Sequence, residues 1–97
     1  MEQNIYLTRL FDYYGELLTD KQKEYFIYYY MENLSLSEIS ENYNVSRNAV
    51  HKQIKDAENK LLFYEEKLKL SENGKRIEKL LDKIEDKKIK EEILDLI

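Results

Sequence analysis

Residues 35–60 read SLSEISENYNVSRNAVHKQIKDAENK, two short helical patterns on either side of a tight turn. Ser35 followed by Glu38 makes an S-x-x-E capping box, so a helix is predicted to begin at Leu36. Leu36, Ile39 and Tyr43 fall on one side of it, at spacings of three and four. Tyr43-Asn44-Val45 then interrupts the pattern, and asparagine is the non-glycine residue that best tolerates a left-handed backbone. Ser46 is a natural N-cap for a second helix, whose buried face would be Val50, Ile54 and Ala57. Two helices joined by so short a turn cross steeply, and the second presents its N-terminal turns outward. That is the layout of a helix-turn-helix.

The candidate nucleic-acid-binding residues are Ser46, Arg47, Asn48, His51, Lys52 and Lys55, with no acidic residue between Ser46 and Lys55. Arginine can bind guanine, and asparagine adenine, through two hydrogen bonds each, while lysine and serine grip phosphate. The plainer reading is a solvated polar face on an ordinary helix pair. The basic bias favours nucleic acid, because a helix N-terminus already attracts anions and gathers no cations for its own stability.

From Leu18 to Leu61 the chain resembles region 4 of bacterial sigma factors, the part that reads promoter DNA. The matching pieces are LTDKQKEYF, LSLSEISENYNVS, and the spacing of Ser46 and Val50 with Ala57 downstream. Nearly the whole chain, including the opening NIYLTRLFDYYGELLTDKQ, is similar to the YlxM family of small helix-turn-helix proteins. Genes of that family typically neighbour the gene of the signal recognition particle GTPase, which implies a regulatory role in that pathway. The chain departs from the common motif at Asn44, where many such turns carry glycine. Nothing in it could supply a sigma factor's other promoter-binding regions, so it cannot act as a sigma factor alone.

At 97 residues the chain is expected to be a single helix-turn-helix domain, 1–97. Within it, residues 4–34 form N-terminal helices, 35–60 the motif, and 61–97 a C-terminal helical extension. Charged residues make up 37% of it, with two glycines and no proline, which points to an all-α protein. The expected fold is a winged-helix-like or sigma region 4-like helix-turn-helix with a long recognition helix. Without cysteine there are no disulfides, no thiol catalysis and no cysteine metal site. No signal peptide or apolar run of about 20 residues is present, so the expected location is cytoplasmic, with no membrane insertion. Net charge is −4, distributed as −3 over 1–34, zero over 35–60 and −1 over 61–97. DNA affinity would rest on one small patch and be modest unless two patches are paired.

Asn4 could cap a first helix through about Tyr14, with Leu7, Leu10, Phe11 and Tyr14 as its apolar stripe and Gly15 near its end. Thr19 with Gln22 is a second capping box. The helix after it is crowded with rings from Tyr25 to Tyr30. Bases could stack on them, but no basic residues interleave there. Phe26 with Tyr29 or Tyr30 is therefore expected in the core, one edge being available to a partner protein. The seam Val50, Ile54, Ala57, Leu61, Tyr64, Leu68 extends the recognition helix. Ser71-Glu72-Asn73-Gly74 is expected to break it. A last helical region carries Ile77, Leu80, Leu81 and Ile84, with a bend near Lys87 before Ile89, Ile93, Leu94, Leu96 and Ile97.

His51 is the only histidine, and it lies among cations. The carboxylate pairs sit in charge-rich helical stretches, and no glycine-rich phosphate loop can be built. No catalytic residues, cofactor or metal ligands are expected. Two binding hypotheses follow. One is a DNA-binding regulatory protein connected with the signal recognition particle pathway, DNA being favoured over RNA as the nucleic acid. The other is an accessory that binds the particle's RNA or GTPase without reading DNA. Either way a homodimer is expected, because the C-terminal helices carry more apolar surface than the motif needs.

Overall fold

The computed structural model describes residues 2–97, and it is helical throughout. Helix α1 spans Glu2–Tyr14, α2 Asp20–Phe26, α3 Leu36–Tyr43, α4 Arg47–Leu68, α5 Leu70–Leu81 and α6 Lys87–Leu94. No strand occurs among the described residues, so the motif has no β wing. Asn4 lies inside α1 and does not cap it. Glutamate and glutamine are better helix formers than asparagine, and the helix runs on through Glu2 and Gln3. Gly15 opens a short 3₁₀ turn, Gly15–Leu17, that leads to α2. The Thr19–Gln22 capping box is closed in both directions, at 3.1 and 3.2 Å.

Helix α4 is the spine, and its buried line Val50, Ile54, Ala57, Leu61 joins two apolar clusters. The first gathers Leu7, Leu10, Tyr14, Leu18, Phe26, Ala57 and Leu61; the second gathers Tyr25, Ile39, Val50 and Ile54. Tyr30 packs against both. After Phe26 the α2 backbone widens into a π-helical segment, Ile27–Met31. That changes which rings share a face. Phe26 stacks on Phe11 with ring centres 4.7 Å apart and meets Tyr30 at 4.6 Å, while Tyr29 stays partly exposed, at 37%. Tyr25 is also buried, which the sequence did not signal. The hydroxyls of Tyr30 and Tyr43 donate to Glu58 and Glu24. Burial first, and these carboxylate acceptors second, push both phenols well above the ordinary tyrosine range. Tyr25, Tyr30 and Tyr43 are scaffold.

The break after α4 falls at Lys69 and not within Ser71–Gly74, which lies inside α5. Lys69 takes the left-handed conformation, φ 55°. A buried polar joint accounts for the shift. Tyr14 Oη donates to Glu65 Oε1 at 2.7 Å and accepts from Leu70 N at 3.0 Å. Glu65 also accepts from Ser71 N (3.1 Å) and Glu72 N (3.0 Å). Three of the otherwise unpartnered N–H groups that open α5 are thus satisfied by side chains of α1 and α4. Gly74 can then pass close to α1, where a Cβ would run into Tyr13 Oη. The bend expected near Lys87 is present: α5 stops at Leu81, and Asp86 caps α6 by accepting from Lys88 N and Ile89 N. No described helix is long and apolar enough to cross a membrane.

Candidate nucleic-acid interface

The turn between α3 and α4 is held by local bonds. Ser35 and Glu38 close their capping box at 3.1 Å in both directions, starting α3 at Leu36. At its end Asn44 adopts φ 54° and ψ 47°. Asn44 N donates to Glu41 O and Val45 N to Ser40 O, the paired bonds of a Schellman closure. Val45 packs into the same cluster as Ile39, the apolar contact that accompanies such a closure. Ser46 Oγ accepts from Ala49 N at 3.1 Å and caps α4.

All six candidate residues are exposed. At 3.6 residues per turn, Asn48, Lys52 and Lys55 point away from the Val50–Ile54–Ala57 line, while Arg47 and His51 lie at its edge. His51 lines a groove of about 170 Å³ with Tyr29, Tyr30 and Leu36. The first turn of α4 holds no acidic residue. Two of the cations are nevertheless engaged: Lys52 Nζ lies 3.0 Å from Asp56, and Lys55 Nζ lies 3.3 Å from Glu58. Both pairs were legible as i,i+4 and i,i+3 spacings. The Lys55 pair is relayed onward, since Glu58 also accepts from Tyr30. Among the described residues no group of acidic and histidine side chains could hold a metal ion.

The Ser46 cap tests this turn. Ser46→Ala should lower stability by about 1 kcal/mol. Glu38→Ala should cost less, because only one of the box's two bonds is lost. Thermal melts of both variants that superimpose on the wild type would show that these caps do not hold the motif.

A family model described as "Putative helix-turn-helix protein, YlxM / p13 like", UPF0122, matches residues 1–97. The chain belongs to the UPF0122 family. A UPF0122 protein of Caldanaerobacter subterraneus subsp. tengcongensis is 46% identical over 82 residues, covering 84% of this chain and 70% of that relative. One from Listeria innocua is 46% identical over 86 residues, 89% of this chain and 78% of its own length. One from Thermoanaerobacter sp. is 49% identical over 80 residues, 82% and 68% respectively. The UPF0122 match spans all six helices, so the extension beyond the motif is part of the family pattern.

Proposed function

We propose that this UPF0122 protein is a DNA-binding regulatory protein that reads the major groove with the N-terminal turns of α4. The observation that carries the reading is the exposed, acid-free first turn of a helix joined to α3 by the Asn44–Val45 turn, with Arg47 and Asn48 at its tip. In this reading Arg47 and Asn48 reach base edges, while Ser46, Lys52 and Lys55 contact phosphate and His51 approaches the groove wall. Lys52 exchanges the exposed Asp56 carboxylate for phosphate, and Lys55 would leave the buried Glu58, which keeps its bond from Tyr30. That exchange is cheap for Lys52–Asp56, because exposed ion pairs contribute little. The link to the signal recognition particle pathway comes from the resemblance to YlxM proteins.

The second reading, an accessory binding the particle's RNA or GTPase, is favoured by one observation. Two of the three lysine and arginine side chains in the patch are already neutralised within α4.

Fluorescence anisotropy with genomic DNA fragments, and with the particle's RNA, separates the two. Arg47→Ala and Lys52→Ala should each weaken binding at unchanged stability. Loss of Lys52 should reduce the slope of log K against log salt by about 1. Salt-independent binding, or full binding by the double variant, would falsify the DNA reading. Binding to the particle's RNA or GTPase alone would favour the second.

A further inference from the structure

Outside the helix-turn-helix, α5 gathers cations on one face. In a chain of net charge −4, residues 75–83 hold four cations and two acids. Arg76, Lys79 and Lys83 are exposed and line one groove of about 340 Å³ together with Leu80, and no acid lines it. None of the three is in an ion pair among the described residues. The nearby acids are engaged elsewhere or leave these cations alone. Glu78 lines a different groove, with Arg9 and Ile97. Glu72, one turn ahead of Arg76, lies 4.0 Å from Lys69. Asp82 makes no ion pair with Lys79. On α4, by contrast, Lys52 and Lys55 both have carboxylate partners.

This pattern does little for the helix. Arg76–Lys79 and Lys79–Lys83 are like-charge neighbours at spacings of three and four, which oppose helix formation. The helix dipole favours Lys79 in the last turn and Lys83 beyond it, but Arg76 lies more than a turn before the end. A helix that lies on a membrane surface needs its apolar side free for lipid, whereas Gly74 and Leu81 of α5 are buried in the protein. A protein partner is anchored by aromatic or apolar side chains at the centre of its contact, and this face offers only Leu80. What fits is a polymer of closely spaced negative charges. Lys83 N donates to Leu80 O, so the coil continues past Leu81. At 1.5 Å per residue the row from Arg76 to Lys83 is about 10 Å long. Duplex DNA carries one charge for about every 1.7 Å of its axis, so each of the three cations can find a phosphate.

We infer that Arg76, Lys79 and Lys83 form a second, sequence-independent contact to the phosphate backbone of duplex DNA. The choice of DNA as the polymer rests on the reading of α4 as a DNA-binding helix; the charge pattern of α5 does not. These side chains read no bases. They raise affinity for any duplex, and they steepen its dependence on salt.

Fluorescence anisotropy of the full chain on duplex DNA of random sequence, from about 50 to 200 mM salt, tests it. The triple variant Arg76→Gln, Lys79→Gln, Lys83→Gln should bind more weakly, with a slope of log K against log salt smaller by about 3. Over that fourfold range the wild type should lose about 40-fold more affinity than the variant. Glutamine forms helix about as well as lysine and arginine, so the variant should melt no lower than the wild type. The charge-keeping variant Arg76→Lys, Lys79→Arg, Lys83→Arg should retain the wild-type slope. An unchanged slope in the glutamine variant, or an equal fall in the charge-keeping one, would overturn the contact. So would a loss confined to poly-L-glutamate or to RNA duplexes, with DNA binding intact. The α4 reading fails separately: the Arg47→Ala, Lys52→Ala double variant would then bind fully while the glutamine variant still lost slope. A wild type that binds no DNA would overturn both.

Discussion

Phe26→Ala should destabilise the protein by about 4 kcal/mol, as deletion of a large ring from a closed core does. Phe26 is fully buried, stacked in parallel on Phe11 and in contact with Tyr30. It belongs to the cluster that fixes α1 against α4, at the point where α2 widens into its π segment. The neighbouring rings are broad and flat and cannot close over a vacated site without shifting α1. A domain of this size is stable by about 5–15 kcal/mol, so the loss is a large fraction of the total. Phe26→Leu refills most of the volume and should cost roughly half as much. Urea unfolding followed by circular dichroism reads both. A Phe26→Ala midpoint within error of the wild type would mean that α1 is not held by this stack. Because Tyr30 passes its hydroxyl bond to Glu58, and Glu58 holds Lys55, the same variant should also loosen the exposed face of α4.

The features read correctly from the sequence are those that neighbouring residues decide among themselves. Ser35 with Glu38, Thr19 with Gln22, Asn44 and Ser46 each close a bond within five residues of themselves, so residue type and spacing suffice. The Val50–Ile54–Ala57–Leu61 line is likewise set by helical period alone. The misplaced features depend on partners far away in the chain. Glycine and asparagine in Ser71–Gly74 resemble a helix break, yet the N–H groups of Leu70, Ser71 and Glu72 find acceptors on Tyr14 and Glu65, and the helix passes straight through. The strained residue is Lys69 instead, which no propensity would select. The π segment escaped for a related reason. Its wider turn is visible only once Phe11 and Glu58 show which rings must face inward. In the candidate interface the residues were legible as a set. Their free charge was overestimated, because the partners of Lys52 and Lys55 lie on the same helix just past the patch.

Glu65→Ala should cost about 3 kcal/mol, because hydrogen bonds to a buried carboxylate are the stronger kind and their donors stay behind unpaired. Three donors lose their acceptor at once: Tyr14 Oη, Ser71 N and Glu72 N. Ser71 is buried, so water cannot replace the bond there without opening the corner between α4 and α5. Glu65→Gln keeps one acceptor oxygen but turns an amide N–H₂ toward the remaining donors, and should cost about half as much. Tyr14 supplies an independent readout. Its phenol is pushed up to about 12, first by burial and then by Glu65 as acceptor, with Leu70 N opposing. The sign follows from the neutral form being the one the fold favours. The stabilisation is complete below pH 10.0, the ordinary tyrosine value. It is lost as pH rises from there through about 12. In Glu65→Ala the largest cause, burial, remains while the acceptor is gone, so tyrosinate absorbance should begin to rise at lower pH but still above the free phenol. If the Glu65→Ala alkaline titration and urea midpoint both match the wild type, the joint does not fix the α4–α5 corner. The α5–α6 arm would then have to be oriented by its other packing, the Gly74–Tyr13 approach and the buried Leu81.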